Sequence, residues 1–244
     1  MYKRQELDQP RLYAMNLATL LQSRMDWKGS VEEYLLVLEE HRNRKDYILR
    51  SISSFPDDEE AREAVIEVTG RKLESFRSTE PWPGFRVSLL EILVKQYQNA
   101  GDYDKALEVY DTLAGELDRL KMNPMRHLAF FASEARNEGR LDVAERALSL
   151  ASDYATKPTE RLELGLVSAE LAIARGAFQA ADSLLTELIE TREIAAPPFL
   201  QARMYVLRGK IRFEHLERPE DAITDLDLAI RRFPGQYTAE ALYY

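Results

Sequence analysis

The sequence predicts an all-α protein, a solenoid of antiparallel helix pairs. Three observations support this fold class. Gly and Pro are sparse, ten each in 244 residues, which leaves room for long helices. Many segments are rich in Ala, Leu, Glu and Arg, which lose little entropy in a helix. A short turn motif also recurs at a nearly constant interval, and a helix pair must stack on its neighbours to bury its apolar face.

The repeat is clearest in YQNAGDYDKALEVY, residues 97–110, where one helix ends, the chain turns, and the next helix starts. The turn glycines Gly101, Gly139 and Gly176 follow one another after 38 and 37 residues. A small residue follows each helix-pair turn, and a bulky apolar residue follows four positions later. The small residues are Ala61, Ala106, Ala144, Ala181 and Ala222, and the bulky ones are Val65, Tyr110, Leu148, Leu185 and Leu226.

The spacing predicts six hairpins. The first has helices from Pro10 to about Arg24 and from about Val31 to His41, and the second has helices around 47–52 and 61–76. Asp57 and Asp58 suit the start of the latter helix, because acidic residues favour a helix N-terminus. The remaining helices are predicted at about 85–100, 103–118, 124–138, 141–155, 159–175, 178–193, 198–215 and 219–233.

The predicted organisation is one solenoid over 10–244. It comprises a frayed N-terminus at 1–9, irregular repeats at 10–77, a joint at 78–84, regular repeats at 85–235, and the start of a further helix at 236–244. The joint contains two prolines and cannot be helical throughout. Trp82 lies between those prolines, and we expect it to cover the irregular second hairpin. Trp27 should pack on the adjoining helix.

The set Tyr97, Gly101-Asp102-Tyr103, Ala106 and Tyr110 resembles the tetratricopeptide repeat, and the ending at Phe233-Pro234 matches the end of that family's repeat. The resemblance covers about 10–244, with a degenerate second hairpin. Its intervals of 37–38 residues exceed the family's usual ~34. The resemblance implies a right-handed α-α superhelix that binds a peptide or partner protein in a concave groove lined by the first helix of each hairpin.

Composition argues against several other functions. The net charge is −9 without a polybasic segment, which disfavours nucleic acid. The absence of Cys removes disulfides, thiolate zinc sites and Cys nucleophiles. His41, His127 and His215 lie in separate hairpins, and no nucleophile elbow or phosphate-binding loop is present. We therefore expect no enzyme activity, no cofactor, no metal and no nucleic acid.

No apolar run approaches the roughly 20 residues that span a bilayer. The prediction is a cytoplasmic protein without direct membrane insertion, or a periplasmic one if an export signal was trimmed. The segment from Phe233 to Tyr244 resembles inter-repeat joins of bacterial envelope-assembly lipoproteins, which suggests an envelope-associated assembly. Because its helix has no partner, we expect either a longer array or self-association through this end.

The first helices supply the predicted partner-binding residues. The middle of this wall is rich in Lys, Arg and Asn, which suits an extended acidic peptide. It resembles the family's carboxylate clamps, although Ile92 and Phe130 stand at the inner positions where a clamp has Asn. Basic side chains that balance neighbouring acids are an equally good interpretation. The other wall residues are Asn43, Asp46, Glu91, Gln98, Ser133, Glu163, Glu170 and Arg203. The preferred contacts are Arg50, Lys95, Asn99, Arg126, Arg136, Asn137 and Lys210.

The sequence leaves the kind of interaction protein open. A scaffold that binds a partner protein is the preferred interpretation. A peptide-sensing regulatory module, in which the array closes around a signal, is the alternative. A helical repeat that binds RNA is a weaker one, because it would need a basic face.

Overall fold

The structure is a computed structural model that describes residues 13–76, 80–191, 197–232, 234–235 and 238–243. In these residues it contains thirteen α-helices, one 3₁₀ turn at Arg42–Arg44 and no β-strand, which confirms the all-α prediction. The helices are α1 (Ala14–Ser23), α2 (Trp27–Glu40), α3 (Lys45–Ser53), α4 (Glu59–Ser75), α5 (Phe85–Asn99), α6 (Tyr103–Arg119), α7 (Met125–Asn137), α8 (Leu141–Asp153), α9 (Pro158–Ala174), α10 (Phe178–Glu190), α11 (Pro198–Glu214), α12 (Pro219–Arg232) and α13 (Thr238–Tyr243).

The chain divides into two compact units, unit 1 (Met1–Asn123) and unit 2 (Pro124–Tyr244). In unit 1, α1 packs on α2 and α5 packs on α6. In unit 2 the same pairing joins α7 to α8, α9 to α10, and α11 to α12. Consecutive pairs within a unit also contact each other, so each unit is a stack of helix hairpins.

The turns form where the repeat predicts them. Gly101, Gly139 and Gly176 adopt φ of 70°, 73° and 72°, the left-handed conformation that glycine tolerates without steric cost. The Asp102 side chain then caps α6 by accepting a hydrogen bond from the Lys105 backbone N–H at 3.2 Å. Glu217 holds a left-handed conformation at the turn of the sixth hairpin, with φ of 53°.

The small and bulky positions of the repeat are the core positions of each hairpin. All five alanines are at most 1% exposed, which lets neighbouring helices approach closely. All five bulky residues are buried as well. The predicted register of the repeat is therefore correct in the five hairpins from the second to the sixth.

The second hairpin is the irregular one. The helix α3 has only nine residues and ends just before Phe55-Pro56, and α4 packs mainly on α2 and α5 rather than on α3. Trp27, as predicted, packs on the adjoining helix, since it shares a cluster with Phe55, Ala61 and Ala64. Asp58 caps α4 by accepting from the Ala61 N–H at 2.8 Å.

Hydrogen bonds and an ion pair join the described part of the predicted joint, residues 80–84, to neighbouring helices of unit 1. Glu80 accepts hydrogen bonds from the backbone N–H groups of Gly84 and Arg86 at the start of α5, and it pairs with Arg119. The Trp82 indole N–H donates to the Leu38 carbonyl at 3.0 Å, and its ring packs on the unit 1 core. Trp82 was expected to cover the second hairpin, and it instead packs on a core to which the first, second and third hairpins all contribute.

At the other end of the described chain, α13 buries Ala241 against Val206, Leu226 and Ala229. Leu242 and Tyr243 are exposed. The predicted frayed segment at 1–9 and Tyr244 lie outside the described residues. None of the described helices is both long enough and apolar enough to cross a membrane.

Candidate functional site: a groove between first helices of unit 2

The predicted contact residues fall in both units. In unit 1, Arg50 is exposed on α3, where its Nε donates to the backbone oxygen of Asp46 at 3.1 Å. Lys95 and Asn99 are exposed on α5. The remaining four predicted contacts belong to unit 2, on α7 and α11.

In unit 2 the first helices of three hairpins, α7, α9 and α11, line one groove of about 210 Å³. Its floor is apolar, because Leu166 and Val167 of α9 and Leu200 of α11 lie there beside Phe130 of α7. Helices hold these side chains at fixed positions, so the groove does not depend on a loop. We call this surface the unit 2 groove.

Phe130 is the most unusual residue of the unit 2 groove. It is 63% exposed although it is a large aromatic residue. Ile92, which occupies the comparable position in the third hairpin, is instead buried in the unit 1 core. The two positions are equivalent in the repeat, but Ile92 is buried and Phe130 is exposed. Of the two side chains, only Phe130 can contact a ligand.

One side of the groove carries an ion pair between neighbouring hairpins. Arg126 of α7 donates from Nε and Nη2 to the two carboxylate oxygens of Glu163 on α9, at 3.2 Å and 2.9 Å. These hydrogen bonds raise the pKa of Arg126 above its ordinary value. The Arg126 side chain is 75% exposed and that of Glu163 only 25%, so the guanidinium faces solvent and the carboxylate is recessed.

A second charged cluster joins all three helices of the groove. Glu170 of α9 pairs with Arg136 of α7 and with Arg203 of α11. The contact with Arg203 is an ion pair without hydrogen-bond alignment. Glu170 is 9% exposed, whereas Arg203 is 40% exposed. Asn137 lies beside this cluster and accepts from Arg136 Nη2 at 3.2 Å.

The structure therefore brings three of the predicted contacts, Arg126, Arg136 and Asn137, together with four other predicted wall residues, namely Ser133, Glu163, Glu170 and Arg203. It also shows what the sequence left open: each arginine already has a carboxylate partner from the next hairpin. The wall of unit 2 is a set of Arg–Glu pairs around an apolar floor rather than an open basic patch. Lys210 lies further along α11 and is partly buried.

A buried ion network in unit 2 was not predicted from the sequence. Arg208 of α11 holds both carboxylate oxygens of Asp225 on α12, at 2.8 Å and 2.6 Å. Arg212, one turn later, donates to Asp182 of α10 at 2.6 Å and to Asp225 at 2.9 Å. Burial opposes the charge of Arg212, but its carboxylate partners outweigh that effect and its pKa is raised. We call these four residues the buried network.

One position of the sequence repeat indicates the buried network. Asp225 directly precedes the bulky residue Leu226, and the equivalent residues in the other hairpins are apolar, namely Ala64, Val109, Ala147 and Leu184. A carboxylate at a core position requires a buried cation, because an unpaired buried charge is costly.

Among the described residues, no group of three or more potential metal-ligating side chains comes together. His215 stacks on Phe178 with ring centroids 3.7 Å apart, which assigns it a packing role. His41 and His127 are exposed at separate helices.

The fold and groove define this chain as a helical-repeat protein built from stacked hairpins. A solved structure supports this class: the chain is similar to the crystal structure of BtubC (BKLC) from P. vanneervenii, with a TM-score of 0.50 and 14% sequence identity. The similarity covers 92% of this chain and 90% of that chain, and at this identity it concerns the fold alone. No protein-family model matches the chain, and no curated protein matches its sequence.

Proposed function

We propose that this chain is a tetratricopeptide-like interaction protein that binds a peptide segment of a partner protein in the unit 2 groove. The observation that carries the proposal is Phe130, a largely exposed aromatic residue over an apolar floor, with paired charges beside it. An apolar centre with a polar rim is the usual anatomy of a protein-binding surface, and aromatic and Arg side chains supply most of its binding energy.

The proposal assigns binding rather than catalysis to the groove. Its charged groups are arginines paired with glutamates, and the hydrogen bonds with Glu163 raise the pKa of Arg126 above its ordinary value. General acid–base catalysis instead needs a group that exchanges its proton near the working pH.

A displayed library of random peptides, selected on the full chain, tests the proposal. We expect the wild-type chain to enrich peptides that no longer bind F130D. Ile223→Asp is the matched control, because Ile223 is 64% exposed on α12 and does not line the unit 2 groove.

Both substitutions replace an exposed apolar residue of a helix with the same carboxylate, so they should unfold at similar urea concentrations. The proposal fails if selection yields no binders. It also fails if the selected peptides bind F130D as well as they bind I223D and the wild-type chain.

A further inference from the structure

The geometry points to the chemistry of the partner segment: an apolar side chain that contacts Phe130, next to a carboxylate that binds at Arg203 rather than at Arg126. This inference rests on the proposed function, and it specifies the chemical features of the peptide that the groove selects. It differs from the expectation of a generally basic wall, because the structure distributes the charge unevenly within the groove.

The charge is balanced at Arg126. One guanidinium faces one carboxylate, and the Nε–Nη2 edge of Arg126 is used by both oxygens of Glu163. A ligand carboxylate that approaches Arg126 therefore meets a neutral pair and the negative charge of Glu163 beside it. Exposed pairs of this kind interact weakly with further charges, because water screens them.

The charge is unbalanced at Glu170. Two guanidiniums, from Arg136 and Arg203, share its single carboxylate, which leaves one excess positive charge. Glu170 and Arg136 are largely buried, so their interactions are screened less than those of Arg126. Arg203 is the exposed member, and a guanidinium has five N–H donors, of which Glu170 cannot use all.

The excess charge lies beside the apolar floor. Leu200 precedes Arg203 by three residues on α11, so both lie on the same face of that helix, and both line the groove with Phe130. Apart from the charged residues Arg126, Glu163, Glu170 and Arg203, the lining residues in the described part of the chain are uncharged: Ala129, Phe130, Ser133, Leu166, Val167 and Leu200. A segment with an apolar side chain and an adjacent Asp or Glu thus matches both the floor and the excess charge.

Parallel selections of the same peptide library on three variants test this assignment. Wild-type and R126Q should both enrich peptides in which Asp or Glu lies near a large apolar residue. R203Q should enrich apolar peptides without that acidic residue. Arg126 and Arg203 are both exposed groove arginines, so each variant is the control for the other.

One enriched peptide and its Glu→Gln or Asp→Asn version should then be titrated by fluorescence anisotropy. We expect removal of the peptide carboxylate to weaken binding to the wild-type chain and to R126Q about tenfold, and binding to R203Q less than twofold. The double-mutant cycle isolates the contact between the carboxylate and Arg203 from any general effect of the substitution.

Substitution of Glu163 offers an independent readout. E163Q leaves Arg126 without its carboxylate partner, so the selected peptides should gain a second acidic residue that wild-type selections lack. A wild-type selection that is Phe130-dependent but shows no acidic enrichment would overturn this inference and leave the proposed function standing. Acidic enrichment lost in R126Q and kept in R203Q would overturn it too. Absence of any Phe130-dependent binder would instead refute the proposed function itself.

Discussion

Unit 2 contains two sets of arginine–carboxylate contacts that differ in burial. In the buried network, Asp225 is 2% exposed and each of its oxygens accepts from a guanidinium of α11. In the unit 2 groove, the side chains of Arg126 and Arg203 are 75% and 40% exposed, whereas their glutamate partners are more buried. Paired buried charges are costly to disrupt, whereas exposed pairs contribute little to stability. The same chemistry is therefore enclosed by packed helices in one place and reaches solvent in the other.

The largest effect should come from the buried network. D225N removes the carboxylate that Arg208 and Arg212 share, and it leaves Arg212 paired with Asp182, which also accepts from Arg218. We expect the free energy of unfolding to fall by about 3–5 kcal/mol, measured by urea denaturation. Asp227→Asn is the matched control on the same helix: its partner Arg231 is exposed, and the loss should stay below about 1 kcal/mol. Equal losses in the two variants would contradict the assignment.

A smaller effect should follow from filling the space between α11 and α12 at Gly209. A Cβ at Gly209, beside Arg208, would lie 2.9 Å from Cγ of Leu226 and 3.3 Å from the Ala222 carbonyl oxygen. G209A should therefore push α11 from α12 and lower the free energy of unfolding by about 1–3 kcal/mol.

Gly70 provides the control for G209A, because it lies inside α4 and a Cβ added there would meet no neighbouring atom within 4 Å. G70A should raise stability by about 0.5–1 kcal/mol, since alanine loses less backbone entropy in a helix. Thermal unfolding of both variants measures the difference. Stabilisation by G209A would show that the close approach of α11 and α12 is not required.

Two arginines of α7, Arg126 in the groove and Arg136 in the neighbouring charged cluster, differ in burial. Arg136 is 16% exposed, far less than Arg126. R136Q should cost about 1–2 kcal/mol, because a charged hydrogen bond is lost in a largely buried site. R126Q should change stability by less than about 1 kcal/mol. Chemical denaturation of the two variants in parallel checks this order, and an inverted order would mean that exposure does not separate the two pairs.

The smallest effect concerns pH in unit 1. Burial disfavours the charge of Glu116, but hydrogen bonds from Arg86 and Arg119 outweigh it, and the pKa of Glu116 lies below its ordinary value of 4.5. A lowered pKa in the folded state contributes stability above the unfolded pKa, and this contribution disappears as pH falls through the folded pKa.

Denaturation curves between about pH 6 and pH 3 should therefore show a decline in stability that is shallower in E116Q than in the wild-type chain. Glu108→Gln, a substitution at an exposed glutamate of α6, is the control for the loss of a carboxylate from this helix. An identical pH dependence in E116Q would exclude Glu116 as a contributor.

The repeat made much of the architecture predictable. Turn glycines, small residues and bulky residues are local signals, and a helix needs only its own sequence neighbours to display them. The third hairpin illustrates this: its helices are predicted at 85–100 and 103–118 and observed at Phe85–Asn99 and Tyr103–Arg119. The second hairpin was recognised as irregular, but its sequence did not show that α4 packs mainly on α2 and α5.

The candidate site was predictable only in part. Counting from the turns correctly places Arg126, Glu163, Glu170 and Arg203 on facing helices, and Arg126 and Glu163 lie 37 residues apart, one repeat length. That interval is a usable signal for a pair between successive hairpins. The same counting did not distinguish Phe130 from Ile92, because exposure depends on which neighbouring helix covers the position.

The amino-acid sequence by itself determined the helices, their turns and caps, and the residues on which hairpins stack, because these follow from periodicity and backbone conformation within a few residues. Only the tertiary structure decided which charges meet. Arg136 and Arg203 share Glu170, and Asp225 lies between Arg208 and Arg212, because neighbouring helices bring these side chains together and bury the carboxylates. Pairing and desolvation are properties of the packed helices, and they set both the rigid network and the groove that we propose binds a partner.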